Sequence, residues 1–202
     1  MKRWYSIALL LAALQVAWAN GPGAVSRGRD ATTGLPYWEW NAQGVRFRLT
    51  HRLPDQTRAF LLARDFDRDT AEFVATNCVF QSEFRNVVPM GGGSVSIDLT
   101  EWRVRHAGGG QGLLTREYWR SELARRGLGQ APRIAFEWGL LPTRQEYAPG
   151  DYNWGITVYG LPPGTPFDLT FVWYRDGKRF TGEMQGLTCP PDIHPEPGEL
   201  QG

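Results

Sequence analysis

The chain has 202 residues, of which 42% are hydrophobic, 13% aromatic and 21% charged. This composition is typical of a globular protein and excludes collagen-like, low-complexity and wholly disordered chains. With 22 Lys and Arg against 21 Asp and Glu, the net charge is +1. A protein that binds duplex nucleic acid needs an excess of positive charge to replace the counterions it releases, so we expect no nucleic acid partner.

Residues 1–19 have the three parts of a secretory signal peptide. Two basic residues follow the initial Met, residues 7–16 are almost all apolar, and the small residues Ala17 and Ala19 predict cleavage after Ala19. The apolar run is shorter than the ~20 residues that a transmembrane helix needs, and no second run of that length follows. The sequence therefore predicts a periplasmic or secreted protein, without a transmembrane segment once the leader is removed.

The next segment, residues 20–35, is rich in Gly, Ser, Thr and Arg and lacks an apolar period, which predicts a flexible N-terminal segment. Residues 37–40 are then consistent with an edge strand. Alternation of apolar and polar side chains predicts a strand over 45–50, because alternate residues of a strand point to the same face. The apolar set of that strand is Val45, Phe47 and Leu49.

Two helices are predicted after this strand. Pro54 suits the first turn of a helix that runs to Phe66, which carries apolar residues at helical spacing. A short second helix begins at Asp67, whose carboxylate suits the positive end of a helix. The apolar pattern then returns to alternation and predicts a strand over 78–84.

Between residues 94 and 105 the parity of the apolar residues switches, which predicts a β-bulge near Thr100. Thr115 suits the N-cap of a third helix, and Gly127 suits its C-terminal end.

Alternation predicts strands over 133–140 and 152–158 and a hairpin over 167–184, whose turn is formed by Asp176 and Gly177. The residues assigned to the buried parity of these strands are Ile134, Phe136, Trp138, Leu140, Tyr152, Trp154, Ile156, Val158, Phe167, Leu169, Phe171 and Trp173.

Seven or eight short strands with turn signals between them, and no regular alternation of strand and helix, favour two packed antiparallel sheets. We predict a mainly β protein, an antiparallel, immunoglobulin-like β-sandwich over residues 36–189 with two helical insertions. Residues 190–202, rich in Pro, Glu and Gly, are predicted to form a disordered tail.

The chain has two cysteines, Cys78 and Cys189. In an oxidising compartment an even number of cysteines favours a disulfide over free thiols. A C-x-x-C pair or an adjacent His would indicate a redox or metal site, and neither cysteine has one. We predict a structural disulfide between them.

A metal site is an alternative that the sequence leaves open. His51 and His106 fall at the ends of predicted strands, Met90 falls in a glycine-rich loop, and His194 falls in the tail. If the strands are neighbours, His51, His106 and Met90 could bind copper or zinc, which accept imidazole and thioether ligands. Because no close His pair occurs, each His also fits a solvated loop position without a ligand.

Aromatic and basic residues suggest binding surfaces. Flat aromatic side chains on a sheet face can stack on sugars, but most tryptophans share parity with core residues. Trp38 and Trp40 are the exceptions, which we expect to be exposed and to cover the sandwich edge rather than bind a ligand. Arg46 and Arg48 lie on the polar parity of one strand, and Arg103 and Arg105 lie on that of another, so either pair could mark a partner surface. The nucleotide composition of the source genome explains the abundance of Arg better than selection for binding does.

Catalytic signatures are missing from the sequence. It contains no G-x-S-x-G nucleophile elbow and no complete phosphate-binding glycine motif. Glu83 and Glu137, beside Arg85 and Arg133 on polar parity, are more typical of ion pairs than of an acid and base pair.

Taken together, these patterns predict an exported, non-catalytic binding or accessory protein without a cofactor, which engages a protein partner or a membrane-bound complex. The alternatives are a protein that handles copper or zinc and a carbohydrate-binding protein.

Overall fold

The structure of the protein is a computed structural model, which describes residues 23–193. The predicted signal peptide and residues 194–202 of the predicted tail lie outside the described residues. In chain order, the strands and helices are β1 (Ala24–Arg29), β2 (Pro36–Ala42), β3 (Val45–His51), α1 (Pro54–Leu62), α2 (Arg68–Ala75), β4 (Val79–Asn86), β5 (Val95–Asp98), β6 (Arg103–His106), β7 (Gly109–Gln111), α3 (Arg116–Arg125), α4 (Gln130–Gly139), β8 (Arg144–Tyr147), β9 (Tyr152–Val158), β10 (Pro166–Arg175) and β11 (Lys178–Thr188).

The first sheet has the strand order β1-β2-β3-β4-β9, and every neighbouring pair is antiparallel. Its first strand, β1, lies within residues 20–35, for which the sequence predicts no strand. Because β1 pairs with β2 along its whole length, β2 is an inner strand, and the prediction of an edge strand at 37–40 is wrong. Four consecutive strands run side by side as a meander, so the immunoglobulin-like part of the prediction is not confirmed.

The second sheet is built around β10, the longest inner strand. Both β5 and β6 pair with β10 on one side, and β11 pairs with it on the other. A 3₁₀ turn at Leu99–Glu101 separates β5 from β6 where the sequence predicts a bulge. Leu99 and Trp102, which lie on opposite parities, are both buried because this turn changes the phase of the side chains.

The hairpin of β10 and β11 confirms the prediction for residues 167–184. Asp176 and Gly177 both have positive φ, 51° and 70°, as a type I′ turn requires. Arg175 pairs with Lys178 across the turn. The predicted inward residues Phe167, Leu169, Phe171 and Trp173 are all buried.

The two sheets face each other as a sandwich, which confirms the predicted fold class. Aromatic rings fill the space between them. Phe47 of the first sheet lies with its ring centroid 5.0 Å from that of Trp102 and 5.2 Å from that of Phe171, both on the side of the second sheet. Such offset and edge-to-face contacts contribute beyond the burial of apolar area.

The helices form a third layer on the outer face of the first sheet. The pair α1 and α2 is inserted between β3 and β4, and the pair α3 and α4 between β7 and β8, so each of the two predicted insertions is a helix pair. Asp67 caps α2 by accepting a hydrogen bond from the Thr70 N–H, as predicted. The helices bury a second apolar core against Val79, Ile156 and Val158 of the sheet.

Residues 133–139 belong to α4, so the prediction of a strand over 133–140 is wrong. Phe136 and Leu140 are buried, whereas Ile134 and Trp138 are exposed. Phe136 lies on the buried face of α4, and Leu140, which directly follows the helix, has an extended backbone and forms a bridge to Ile156. Their spacing of four residues also fits a period of two.

The two cysteines form a disulfide, with a Cα–Cα distance of 5.1 Å. Cys78 directly precedes β4 of the first sheet and Cys189 directly follows β11 of the second, so the bond joins the two layers of the sandwich. A disulfide of this kind is consistent with an extracellular or periplasmic protein. Beyond it, Asp192 forms an ion pair with Arg58 of α1, which holds the start of the tail against the helical layer.

Candidate ligand-binding face

The outer face of the first sheet carries a row of four side chains, three charged and one aromatic, that crosses four strands. Glu39, Arg48, Glu83 and Trp154 are consecutive partners across β2, β3, β4 and β9. Side chains of directly paired residues on one sheet face lie close enough to interact. The helices cover this face only at the end that contains Ile156 and Val158, which leaves the row open.

The charges in this region are paired with each other. Arg46 donates to Glu83 at 2.7 Å, and Arg48 donates to Asp30 at 2.9 Å. Arg48 also lies 3.7 Å from Glu39. These contacts fix the orientation of the guanidinium groups of Arg46 and Arg48. They also fix the carboxylates of the two glutamates in the row.

These residues line a groove of about 370 Å³ on the outer face of the first sheet. The size lies within the range of small-ligand sites in proteins. We use the term outer groove for the depression lined by Asp30, Glu39, Arg46, Arg48, Thr50, Gln81, Ser82, Glu83 and Trp154.

One wall of the outer groove is fixed by Asp30, in the turn after β1. The N–H groups of Thr32 and Thr33 and the hydroxyl of Thr33 donate to its Oδ1. The bonds from Thr33, with smaller contributions from Thr32 and the charge of Arg48, lower the pKa of Asp30 below its usual value. Asp30 therefore stays ionised across the neutral range and acts as a hydrogen-bond acceptor.

Exposed aromatic side chains stand at the opposite wall. Trp154 is 68% exposed and Tyr152 is 50% exposed, and the guanidinium of Arg85 stacks 4.3 Å from the ring centroid of Tyr152. A third exposed aromatic, Trp138, lies at the end of α4. A β-bridge joins Leu140 to Ile156. Trp138 lies two residues before Leu140 and Trp154 two residues before Ile156, so their Cα atoms lie within about 20 Å of each other.

The structure changes the roles that the sequence predicts for the tryptophans. Trp38 and Trp40 are buried in the sandwich core on an inner strand, so the prediction that these two are the exposed tryptophans, at the edge of the sandwich, is wrong. Trp138 and Trp154, assigned to a buried parity by the sequence, are exposed, and that prediction is wrong. The strand that carries Trp154 is confirmed, but its alternate residues face the helical layer, which ends before Trp154.

Of the two arginine pairs that could mark a partner surface, Arg46 and Arg48 lie within the outer groove, whereas Arg103 and Arg105 lie on β6 of the second sheet. The predicted ion pair of Glu83 is formed, with Arg46 and, at 3.4 Å, with Arg85. Glu137, on α4, pairs with Arg120 of α3 instead of with a residue of a neighbouring strand.

His51 is buried at the end of β3, with its ring against Trp38 and Phe80. Its Nε2 lies 2.8 Å from the carbonyl oxygen of Thr188, to which only a protonated ring nitrogen can donate. This hydrogen bond joins the end of β3 to the end of β11, beside Cys189.

The other two predicted metal ligands, His106 and Met90, lie on other parts of the sandwich than His51. His106 ends β6 in the second sheet, and its Nδ1 accepts a hydrogen bond from the N–H of Gly108. Met90 follows β4, whose last residue pairs with the first residue of β3, so Met90 lies at the end of the first sheet away from His51, about 20 Å along the strand. Among residues 23–193, no group of three or more His, Cys, Asp or Glu side chains is arranged to hold a metal ion.

The burial of His51 predicts a pH dependence of stability. Burial lowers the pKa of His51 below its usual value of 6.5, and the hydrogen bond to Thr188 offsets only part of this effect. The unfolded chain therefore binds more protons than the folded chain just below pH 6.5, so the free energy of unfolding decreases as the pH falls through this region. We expect urea unfolding at pH 7.5 and 5.5 to show this loss, and His51→Gln to reduce it.

The variant His106→Gln is the matched control, because it removes an imidazole and leaves His51 in place. It is expected to keep the pH dependence of the native chain. An equal dependence in the native chain and in His51→Gln would contradict the assignment to His51.

Comparison of the chain with protein-family models, with curated proteins and with solved structures found no match. None of the helices between residues 23 and 193 is long and apolar enough to cross a membrane. The basis for a function is therefore the geometry of the outer groove and of Trp154 at its wall.

Proposed function

We propose that the protein is an exported, non-catalytic binding module whose ligand-binding surface is the outer face of the first sheet. The observation that carries this proposal is the exposure of Trp154 in line with three charged residues that are already paired. The sequence-based expectation of a binding or accessory protein supports it, as does the disulfide for the exported location.

Trp154 is one of two tryptophans between residues 23 and 193 that are exposed. Of the seven tryptophans in residues 23–193, five are buried, and the two exposed ones, Trp138 and Trp154, lie near the same bridge between α4 and β9. A tryptophan left in water forgoes the favourable burial of its large apolar surface. Aromatic residues and Arg are also the side chains that contribute most at binding surfaces. A ligand that covers Trp154 would recover this apolar burial.

The pairing of the charges supports binding rather than catalysis. Glu39 and Glu83 each contact an arginine, and Asp30 is held by backbone and side-chain donors. Groups fixed in this way are pre-organised, so a ligand that uses them meets a smaller ordering cost.

A photo-crosslinking experiment tests the proposed surface. p-Benzoylphenylalanine is placed at Trp154 in the full chain and, as the matched control, at Tyr174, on the outer face of the second sheet. Irradiation in the native cells is expected to give adducts at position 154 in at least about tenfold higher yield than at 174. An excess of the native protein should compete for the adduct, whereas an excess of Trp154→Ala should not.

Either of two results would overturn the proposal: adducts formed equally at the two positions, or adducts that native protein and Trp154→Ala displace equally well. Adducts to protein and adducts to glycan both support a binding surface, since the experiment locates the surface without assuming the ligand.

A further inference from the structure

We propose that the outer groove binds an uncharged carbohydrate chain. This inference rests on the proposed function, because it names the class of ligand for the same surface. It is carried by three features of the groove: the balance of its charges, the aromatic side chain at its wall and its extent across the sheet.

The charges of the outer groove nearly cancel. Three carboxylates, from Asp30, Glu39 and Glu83, stand against the guanidinium groups of Arg46 and Arg48, and Arg85 pairs with Glu83 at the edge. An ionic ligand is favoured by an excess of the opposite charge, which this groove lacks. A ligand with many neutral donors and acceptors can instead bind both kinds of group.

Hydroxyl groups match this set of partners. A hydroxyl both donates and accepts, so it can donate to a carboxylate of the groove and accept from a guanidinium nitrogen. Hydrogen bonds to ionised groups are stronger than those between neutral groups, and neighbouring hydroxyls can use both oxygens of a carboxylate or two nitrogens of Arg. Arg46 and Glu83, 2.7 Å apart, present one partner of each kind side by side.

Trp154 supplies the apolar part of the site. In the row across the sheet it is the direct partner of Glu83, so an aromatic face and a charged acceptor occupy neighbouring positions. A sugar ring has an apolar face of C–H groups and a rim of hydroxyls. The C–H face can stack on the indole of Trp154 while the rim reaches Glu83 and Arg46.

The length of the row favours a chain over a single sugar. The row from Glu39 to Trp154 crosses four strands, which places its ends about 14 Å apart. One sugar ring stacked on Trp154 would leave Arg48 and Asp30 without contact. A chain of linked rings can span from one wall to the other.

A protein partner is less compatible with the groove floor. The central parts of protein interfaces are depleted in Asp and Glu, whereas the outer groove carries three carboxylates. Covering these groups with a dry protein surface removes their water without supplying new donors, which is costly for charged groups. A carbohydrate replaces that water with hydroxyls.

Affinity electrophoresis tests the ligand class. The native full chain is run in non-denaturing gels that contain hydroxyethylcellulose, arabinoxylan, galactomannan or dextran, with anionic polygalacturonate as the charged comparison. We expect retardation by at least one neutral polysaccharide and none by polygalacturonate. Trp154→Ala should weaken the apparent affinity at least about tenfold, since it removes the stacking surface.

Trp138→Ala is the matched control, because it removes a second exposed tryptophan, which does not line the outer groove. Its affinity is expected to stay within about twofold of the native value. Arg46→Gln should weaken binding as well, and thermal unfolding of each variant shows whether it is folded. Trp154 and Trp138 are mostly exposed, so folding is expected to persist when either is replaced by Ala.

Three results would overturn the carbohydrate inference: no retardation by any of the four neutral polysaccharides, retardation by polygalacturonate alone, or retardation that Trp154→Ala leaves unchanged. If the crosslinks at position 154 form and go to protein while no polysaccharide retards the chain, the carbohydrate inference fails and the proposed binding surface stands. If the crosslinks are also missing, both fail.

Discussion

Replacing Cys78 and Cys189 together by Ala is expected to lower the free energy of unfolding by about 4 kcal/mol. The disulfide closes a loop with a sequence separation of 111 residues, and in the chain-entropy model a crosslink over about 100 residues destabilises the unfolded chain by ~4.7 kcal/mol. For a chain of this size, such a loss corresponds to a fall in Tm of about 8–16 °C. Urea unfolding of the native and double-Ala chains measures the difference.

Reduction of the native chain provides the control for this prediction. Cys78 and Cys189 are both buried, so the Ala variant loses some packing as well as the crosslink. The native protein in excess dithiothreitol loses only the crosslink, because the chain has no other cysteines. A stability loss below about 1 kcal/mol in the reduced native chain would contradict a stabilising role for the bond.

The parts of the fold that the sequence predicts correctly are those in which one local pattern has one structural meaning. In the hairpin of β10 and β11, strict alternation is joined to a turn whose residues, Asp176 and Gly177, adopt positive φ. The helices that begin near Pro54, Asp67 and Thr115 carry N-terminal signals, and each begins within a residue of its predicted start.

The helix α4 shows how a short pattern can fit two periods. Four apolar residues at every second position of 133–140 fit a strand, but only two of them, Phe136 and Leu140, reach the core. Pro132, in the first turn of α4, is the local signal that favours a helix, since a proline is tolerated there and not in an inner strand. Alternation alone could not decide between the two structures.

The sequence predicts only part of the candidate site, because the helices of the third layer decide which residues of the outer face are covered. Polar alternation in β3 places Arg46 and Arg48 on an exposed face, and the structure puts both in the outer groove. Trp154 shares its face with Ile156 and Val158, which are buried by helices rather than by the second sheet. The point at which the helices stop covering β9 depends on contacts between residues that are far apart in the sequence. Alternation within β9 therefore cannot show that Trp154 is exposed.

The indole of Trp102 is central to the sandwich in a way that the exposed tryptophans are not. Its ring is fully buried. The ring centroid lies 5.0 Å from that of Phe47 and 5.6 Å from that of Phe171. Its Nε1–H donates to the carbonyl oxygen of Val172 at 2.9 Å. Replacement by Ala therefore removes contacts to both sheets and leaves a buried carbonyl without its side-chain donor.

Trp102→Ala is expected to lower the free energy of unfolding by about 4 kcal/mol, because truncation of a buried aromatic leaves a cavity that the surrounding rings fill only in part. Trp154→Ala, the same change on the outer face, is expected to alter it by less than about 0.5 kcal/mol, since most of that indole already contacts water. Urea unfolding of the two variants and the native chain measures both values. Equal losses would contradict the assignment of Trp102 to the core and of Trp154 to a surface free for a ligand.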